Sequence, residues 1–116
     1  FGSLVNFHPS LLPFYRGPTP SEWCIHNGER HTGFTLHRIT RRIDQGEVLE
    51  QRVVSIRPDD SASQLDARIG SAAAPVFLDY LTRIPDGRNR RPHVVDAAAV
   101  YSHHPEYLGR FSGGRG

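Results

Sequence analysis

The sequence predicts a small α/β domain in which a few-stranded sheet is packed by one short and one long helix. Apolar and polar residues alternate along three short segments, which is typical of β-strands. One longer segment repeats its apolar residues with the period of an α-helix. The chain has 116 residues, of which 37% are hydrophobic, so it can form one domain with a small core.

The first predicted strand runs from Leu4 to His8 and carries two polar side chains on one face. Residues two apart in a strand project to the same side, so Asn6 and His8 lie together. Pro9 lacks an N–H and disfavours helical geometry at His8, so the strand ends there. Open α/β sheets bind ligands at such strand ends. Taken singly, Asn6 is better interpreted as a residue that ties down a strand end, and His8 as an ordinary polar residue.

A loop and a short helix follow the first strand. Residues Leu11 to Pro18 are rich in proline and glycine, which predicts a loop. Thr19 is a candidate N-cap with Pro20 at the first helical position. Asn27 and Gly28 predict the end of this helix.

Two further strands are predicted, at Phe34 to Ile39 and at Val48 to Ile56, with a loop at Arg41 to Gly46 between them. The alternation of side chains divides each strand into two faces. Phe34 and Leu36 share one face of the earlier strand, and Thr35, His37 and Ile39 share the other. Val48, Val54 and Ile56 share one side of the later strand.

The longest helix is predicted to begin after Asp60 or Ser61, either of which suits an N-cap. Pro75 lies inside it and is expected to kink or break it. The apolar stripe has a spacing close to 3.6 residues. Its members are Leu65, Ile69, Ala72 or Ala73, Val76, Tyr80 and Ile84.

The end of the chain differs in composition from the rest. A polar, arginine-rich connection runs from Pro85 to Pro92, and Val94 to Tyr101 is expected to form a short strand or turn. The glycine-rich residues from Gly109 to Gly116 are predicted to be disordered. We therefore assign residues 1–87 to the domain and residues 88–116 to an arginine- and glycine-rich tail that is partly disordered.

Composition excludes several classes of site. All fourteen basic residues are arginine, so a lysine Schiff base is excluded, and a formal net charge of +2 favours an ordinary mixed surface over a nucleic-acid-binding one. The single cysteine, Cys24, excludes an internal disulfide and is expected to be a packing residue. No stretch approaches the ~18 apolar residues of a membrane span, and no signal peptide is recognisable. We expect a cytoplasmic protein.

Histidines raise the question of a metal site. His26, His31 and His37 are spaced five and six residues apart, and His103 and His104 add two more. The first three fall on a predicted helix end, a turn and a strand, without support from cysteine. We therefore expect no metal.

Four blocks of residues, in order, form a recognisable pattern. They are Asn6-Phe7-His8-Pro9-Ser10-Leu11-Leu12-Pro13, then Tyr15-Arg16-Gly17, then Gly28-Glu29 with Thr32-Gly33, and finally Ile43-Asp44-Gln45-Gly46. The pattern resembles the formyltransferase family that uses 10-formyltetrahydrofolate, which includes methionyl-tRNA, glycinamide ribonucleotide and amino-sugar formyltransferases. The likeness extends from about Val5 to Ile56, and the tail after Pro85 lies outside it. It implies a Rossmann-like formyltransferase fold of which this chain holds the second half, the carboxy-terminal half of the catalytic domain.

The resemblance also implies a site, with 10-formyltetrahydrofolate as co-substrate and no metal. Asn6, His8 and Asp44 are the implied catalytic residues: Asn6 and His8 polarise the formyl oxygen, and Asp44 orients His8 and accepts a proton. Residues implied at the folate site are Ser10, Leu11, Leu12, Pro13, Arg42, Ile43 and Gln45. Those implied on the acceptor side are Arg16, Gly17 and His37. Asp44 also reads as a turn residue, Arg16-Gly17 as a turn with a solvated arginine, and His37 as a strand histidine that faces water.

For the acceptor we favour a primary amine on an amino sugar, with methionyl-tRNA second. A carboxy-terminal barrel, expected from likeness to the tRNA enzyme, is not recognisable. The parallel strand expected at Leu4 to His8 would find its covered neighbours in a missing amino-terminal half or a second subunit. We thus expect the chain alone to be unstable or to self-associate as a homo-oligomer, and to bind folate weakly. The alternative is a non-catalytic remnant that acts as a binding or assembly module.

Overall fold

A computed structural model describes residues 4–39, 48–83 and 93–103 of the chain. Within these ranges, a three-stranded sheet is accompanied by one short and one long helix and a single-turn helix near the end, and the predicted α/β class is confirmed. The elements are β1 (Leu4–His8), α1 (Pro20–His26), β2 (His31–Ile39), β3 (Val48–Ser55), α2 (Ala62–Arg83) and α3 (Ala97–Val100).

The sheet has the order β1-β2-β3, and both pairings are antiparallel. Asn6 and His8 of β1 lie opposite His37 and Thr35 of β2. In turn, Thr35 lies opposite Gln51 of β3. A parallel pairing of β1 is not seen among the described residues. The register brings the polar face of β1 beside the polar face of β2.

Helix α1 begins and ends where the sequence predicts, but Thr19 does not cap it with its side chain. Pro20 is the first helical residue, and Gly28 follows the C-cap with a φ of 76°. That left-handed conformation favours glycine. Thr19 is the N-cap residue but has a φ of 52°, and its hydroxyl makes no capping hydrogen bond. The left-handed backbone at Thr19 departs from the extended geometry from which a side chain normally caps.

Helix α2 begins with a reciprocal cap, which confirms Ser61 as a cap residue. The N–H of Ser61 donates to Gln64 Oε1 at 2.8 Å, and the N–H of Gln64 donates to Ser61 Oγ at 3.1 Å. Of the kink or break predicted at Pro75, the break is wrong, because α2 continues to Arg83. One missing N–H is outweighed by the packing of the helix against the sheet, which the core residues described next provide.

Two clusters of buried side chains form the core. One joins the loop after β1 and helix α1 to the segment 93–103, and consists of Leu11, Tyr15, Cys24, Ala97 and Tyr101. The other joins the sheet to α2, and consists of Phe34, Val54, Leu65, Ile69 and Ala73. The predicted stripe is largely confirmed, because Leu65, Ile69, Ala73 and Tyr80 are buried and Val76 is half-buried, while Ile84 is outside the described residues.

The segment 93–103 differs from the predicted short strand or turn. His93 forms a single parallel bridge with Glu50 of β3, and the four residues Ala97–Val100 form α3. Three consecutive alanines favour a helix over an extended strand, which explains the difference. The predicted connection at 85–92, the domain boundary at 87–88 and the glycine-rich end at 109–116 lie outside the described residues.

Candidate functional site

The polar face of β1 meets that of β2 at three of the predicted site residues. Asn6 and His8 lie on the same face of β1, and Asn6 pairs across the strands with His37. The Asn6 amide Nδ2 donates to His37 Nε2 at 3.3 Å. Asn6 is exposed, whereas His8 and His37 are half-buried. The structure thus brings together an exposed amide and two half-buried imidazoles on one face of the sheet.

His8 is held by the loop that follows it. Its Nε2 donates to the carbonyl oxygen of Tyr15 at 3.0 Å. Burial lowers the pKa of His8, the hydrogen bond to the Tyr15 carbonyl raises it, and the nearby His37 and Arg16 lower it again. Because the net direction is downward from 6.5, His8 is neutral at neutral pH.

His37 has a similar electrostatic environment. Burial lowers its pKa, and a hydrogen bond with the Arg38 backbone partly offsets this effect. Both imidazoles are therefore neutral at pH 7, and each can either accept a proton or donate one. This pair suits chemistry that moves protons better than the binding of a fixed anion.

The loop after β1 carries the residues implied at the folate site. Ser10 and Leu11 are fully buried, and the Ser10 hydroxyl hydrogen-bonds the carbonyl oxygens of Phe14 and Tyr15 at 2.9 and 3.1 Å. Leu12 is half-buried and Pro13 is exposed. Ser10 and Leu11 therefore hold the loop in shape, and Leu12 and Pro13 offer it an accessible apolar edge.

Two buried polar side chains beneath the loop were missed by sequence reasoning about the site. Thr35 Oγ1 donates to the Ser10 carbonyl at 2.7 Å and accepts from the Leu12 N–H at 3.1 Å. Gln51 Nε2 donates to Thr35 Oγ1 and to the Leu12 carbonyl, each at 3.0 Å, and Gln51 Oε1 accepts from the Val95 N–H at 2.9 Å. The sequence signal that could have indicated them is a polar residue inside each of two neighbouring apolar strands.

The residues implied on the acceptor side follow Tyr15. Arg16 is exposed, and its charge is close enough to His8 to lower the pKa of that imidazole. Gly17 is half-buried in the next turn. The implied residues Arg42, Ile43, Asp44 and Gln45 lie outside the described residues.

Cys24 is a packing residue, as predicted. It is fully buried, and its thiol donates to Thr32 Oγ1 at 3.6 Å. Burial raises the pKa of the thiol to about 12, which keeps it protonated. Nucleophilic chemistry at Cys24 is therefore excluded at neutral pH.

Residues 4–39, 48–83 and 93–103 contain neither a candidate metal site nor a candidate membrane-spanning helix. These residues bring no three His, Cys, Asp or Glu side chains into a group that could hold a metal ion. No helix among them has the length and apolar character needed to cross a membrane. An open cleft lies at the other end of β2, where Arg30, His31, Ser55 and Arg57 line it, and none of Asn6, His8 or His37 contributes to it.

Residues 2–81 match the family model described as formyl transferase. A methionyl-tRNA formyltransferase from Geobacter metallireducens is 38% identical over 98 residues, which are 84% of this chain and 32% of that protein. The chain therefore spans about a third of the length of this curated relative.

Solved structures of related enzymes have the same fold over this region. A phosphoribosylglycinamide formyltransferase from Anaplasma phagocytophilum superposes with a TM-score of 0.67 and 29% identity, over 74% of this chain and 42% of that one. The sugar 3N-formyl transferase WlaRD, solved with dTDP and 5-N-formyl-THF, superposes with a TM-score of 0.66 and 29% identity, over 81% of this chain and 35% of that one. These two structures show the described fold in enzymes that are named for two different acceptors.

Proposed function

Because this chain belongs to the formyl transferase family, we propose that it carries the second half of a catalytic domain that transfers a formyl group from 10-formyltetrahydrofolate to a primary amine. The observation that supports this most directly is the cluster of Asn6, His8 and His37 on one face of the paired strands β1 and β2. The rest of the domain would come from further sequence of the same protein or from a second subunit. A second copy of the chain would count as such a subunit. Formyl transfer of this kind would belong to one-carbon biosynthesis in the cytoplasm.

The amide of Asn6 suits the stabilisation of an oxyanion. Attack of an amine on the formyl carbon places negative charge on the formyl oxygen, and a donor aimed at that oxygen is typically worth about 10²–10³ in rate. His37 receives one N–H of the Asn6 amide. The second N–H is left for the formyl oxygen, on the exposed side of the residue.

His8 suits the movement of the proton. The attacking amine loses a proton, and the folate nitrogen that leaves gains one. A neutral His8 can take the first proton, directly or through Asp44, and the resulting imidazolium polarises the oxyanion before it returns the proton to the leaving nitrogen. The lowered pKa of His8 keeps it in the neutral form that this cycle requires. Asp44 would accept the proton of the amine on its way to His8, and it would orient the imidazolium by accepting a hydrogen bond from its Nδ1–H.

The folate would be held along the loop after β1 and the Asp44 loop. Leu12 and Pro13 supply an accessible apolar edge that fits the flat face of a pterin, and the buried Ser10 and Leu11 fix that edge. Arg42, Ile43 and Gln45 are proposed to border the same pocket. No metal is required by this chemistry.

For the acceptor, an amine on a nucleotide-linked amino sugar is favoured over methionyl-tRNA. The exposed Arg16 beside His8 supports an acceptor that carries negative charge, which a nucleotide sugar satisfies. Gly17 and His37 would line the same side.

This proposal is tested by measuring formyl transfer from 10-formyltetrahydrofolate to a panel of amines. The assay uses the whole protein that contains this chain. We expect transfer to an amino sugar nucleotide, and a loss of about 10²-fold or more in kcat for Asn6→Ala and for His8→Ala. Equal rates in the wild-type protein and His8→Ala would contradict an enzymatic role. Folate binding without transfer would favour the alternative of a binding or assembly module.

A further inference from the structure

The hydrogen bond of His8 determines which of its ring nitrogens carries hydrogen. His8 Nε2 lies 3.0 Å from the carbonyl oxygen of Tyr15. A carbonyl oxygen can only accept, so Nε2 carries the hydrogen, and the lone pair of the neutral ring is on Nδ1. The position of one backbone carbonyl therefore selects the tautomer of His8.

That carbonyl belongs to a residue that is fixed at both its backbone and its side chain. Tyr15 is 2% exposed and has a φ of 55°, in the left-handed region. Its carbonyl also accepts from Ser10 Oγ at 3.1 Å. At the far end of the side chain, the hydroxyl donates to Glu29 Oε2 at 2.8 Å and accepts from Asn27 Nδ2 at 3.0 Å. An unfavourable backbone conformation is thus held by contacts of the ring and its hydroxyl.

Glu29 is a buried carboxylate with partners from two distant parts of the chain. It is 4% exposed, and besides the Tyr15 hydroxyl it accepts the N–H of Ser102 at 2.9 Å and the N–H of His103 at 3.1 Å. A carboxylate is costly to bury unless hydrogen bonds satisfy it. These two N–H groups, which lie beyond the residues matched by the family model, help to satisfy it.

We propose that Glu29 and Tyr15 form a positioning relay that fixes the Nε2–H tautomer of His8. Neither residue touches the reacting atoms, so both are positioning residues. The proposal rests on the proposed function for the catalytic importance of His8. The tautomer itself is a property of the fold and can be measured without any substrate.

The relay assigns the two nitrogens of His8 different tasks in the proposed reaction. The proton that leaves the attacking amine adds, directly or through Asp44, to the lone pair of Nδ1, and the Tyr15 carbonyl keeps its bond to Nε2–H. The imidazolium then has two N–H groups, of which the one on Nε2 is already satisfied. Its Nδ1–H returns the proton to the leaving folate nitrogen, so the ring ends the cycle neutral.

Nitrogen NMR of protein labelled with ¹⁵N-histidine tests the relay, because the shifts of Nδ1 and Nε2 distinguish the tautomers. Spectra are recorded at pH 8, where His8 is neutral, for the wild-type protein, Tyr15→Phe and the control Tyr101→Phe, with His8 assigned by its loss in His8→Ala. Tyr101 is a matched control because its hydroxyl is also buried in this cluster but bonds the Leu11 N–H and Thr32 Oγ1.

In the wild-type protein we expect the Nε2–H form of His8 to predominate. In Tyr15→Phe we expect a mixture of tautomers, with kcat lowered about 10- to 100-fold and the KM for folate nearly unchanged. Tyr101→Phe should leave the tautomer as in the wild type. If Tyr15→Phe does not fold, Glu29→Gln is measured in its place. Both carboxylate oxygens of Glu29 accept hydrogen bonds, and an amide has only one oxygen that can accept. The same mixture of tautomers is expected.

An Nδ1–H form of His8 in the wild type would overturn the relay, and so would equal tautomer populations in the wild type and the Tyr15→Phe or Glu29→Gln variant. Failure of the proposed function would look different. In that case His8→Ala would leave formyl transfer unchanged, while the tautomer of His8 would still respond to Tyr15→Phe.

Discussion

Replacement of Gln51 by leucine tests how much of the loop geometry depends on one buried side chain. Gln51 is fully buried, and its amide bonds the Leu12 carbonyl, Thr35 Oγ1 and the Val95 N–H. Leucine fills a similar volume but makes none of these bonds. The Leu12 carbonyl and the Val95 N–H, which belong to half-buried residues, both lose this partner.

The magnitude follows from the groups that lose a partner. A buried polar group left unsatisfied costs about 1–3 kcal/mol, and Gln51→Leu strands two of them. The gain from an added apolar side chain offsets part of this cost. We therefore expect the free energy of unfolding to fall by about 3 kcal/mol. With a urea dependence of about 2 kcal/mol per molar, the midpoint should fall by about 1.5 M.

Urea unfolding followed by circular dichroism measures this change, with Gln64→Leu as the matched control. Gln64 is exposed and its Oε1 accepts one cap hydrogen bond from the Ser61 N–H, so its replacement should cost about 1 kcal/mol or less. If Gln51→Leu destabilises the protein no more than Gln64→Leu does, the network beneath the loop does not hold it.

Three other predictions concern a close approach, a titration and a thiol. In Gly33→Ala the new Cβ would lie 2.0 Å from the Arg52 carbonyl oxygen, so β2 and β3 must separate. Thermal unfolding should show that the free energy of unfolding falls by more than about 3 kcal/mol. The control Gly28→Ala should lose only about 1 kcal/mol, because φ is 76° there but no atom lies within 4 Å of the new Cβ. Because the pKa of His8 is lowered in the folded protein, the unfolded chain binds the proton first, and the free energy of unfolding should fall as the pH drops below about 6.5. The loss of stability between pH 7.5 and pH 5 should be smaller in His8→Gln. An equal loss in the wild-type protein and this variant would contradict the prediction. Cys24 should resist iodoacetamide at pH 7 in the folded protein and react in urea, and rapid native labelling would contradict its burial.

The sequence predicts the elements of the site better than their contacts. Pro9 and the alternation before it predict the end of β1 and the common face of Asn6 and His8. The pairing of Asn6 with His37 depends on the register between strands, which no local pattern specifies. Sequence reasoning placed His37 on the acceptor side without its link to Asn6.

Buried polar residues were harder to predict. Glu and Gln are residue types that usually lie on the surface. Glu29 and Gln51 are buried here because partners from distant parts of the chain form hydrogen bonds with their polar atoms. Pro75 is the opposite case. A proline inside a helix predicts a break, but α2 packs against the sheet on both sides of Pro75 and remains continuous. Local signals fail in both cases because the deciding contacts are tertiary.

The contacts of Glu29 have a consequence for how this region can change in evolution. Glu29 binds the backbone N–H groups of Ser102 and His103, and Gln51 likewise accepts the backbone N–H of Val95. Every residue type except proline supplies such a group. The residues at 102 and 103 can thus change in identity while their backbone keeps its position, whereas Val95 also packs its side chain against the core. A segment held in this way can become unrecognisable between distant relatives and still occupy the same position.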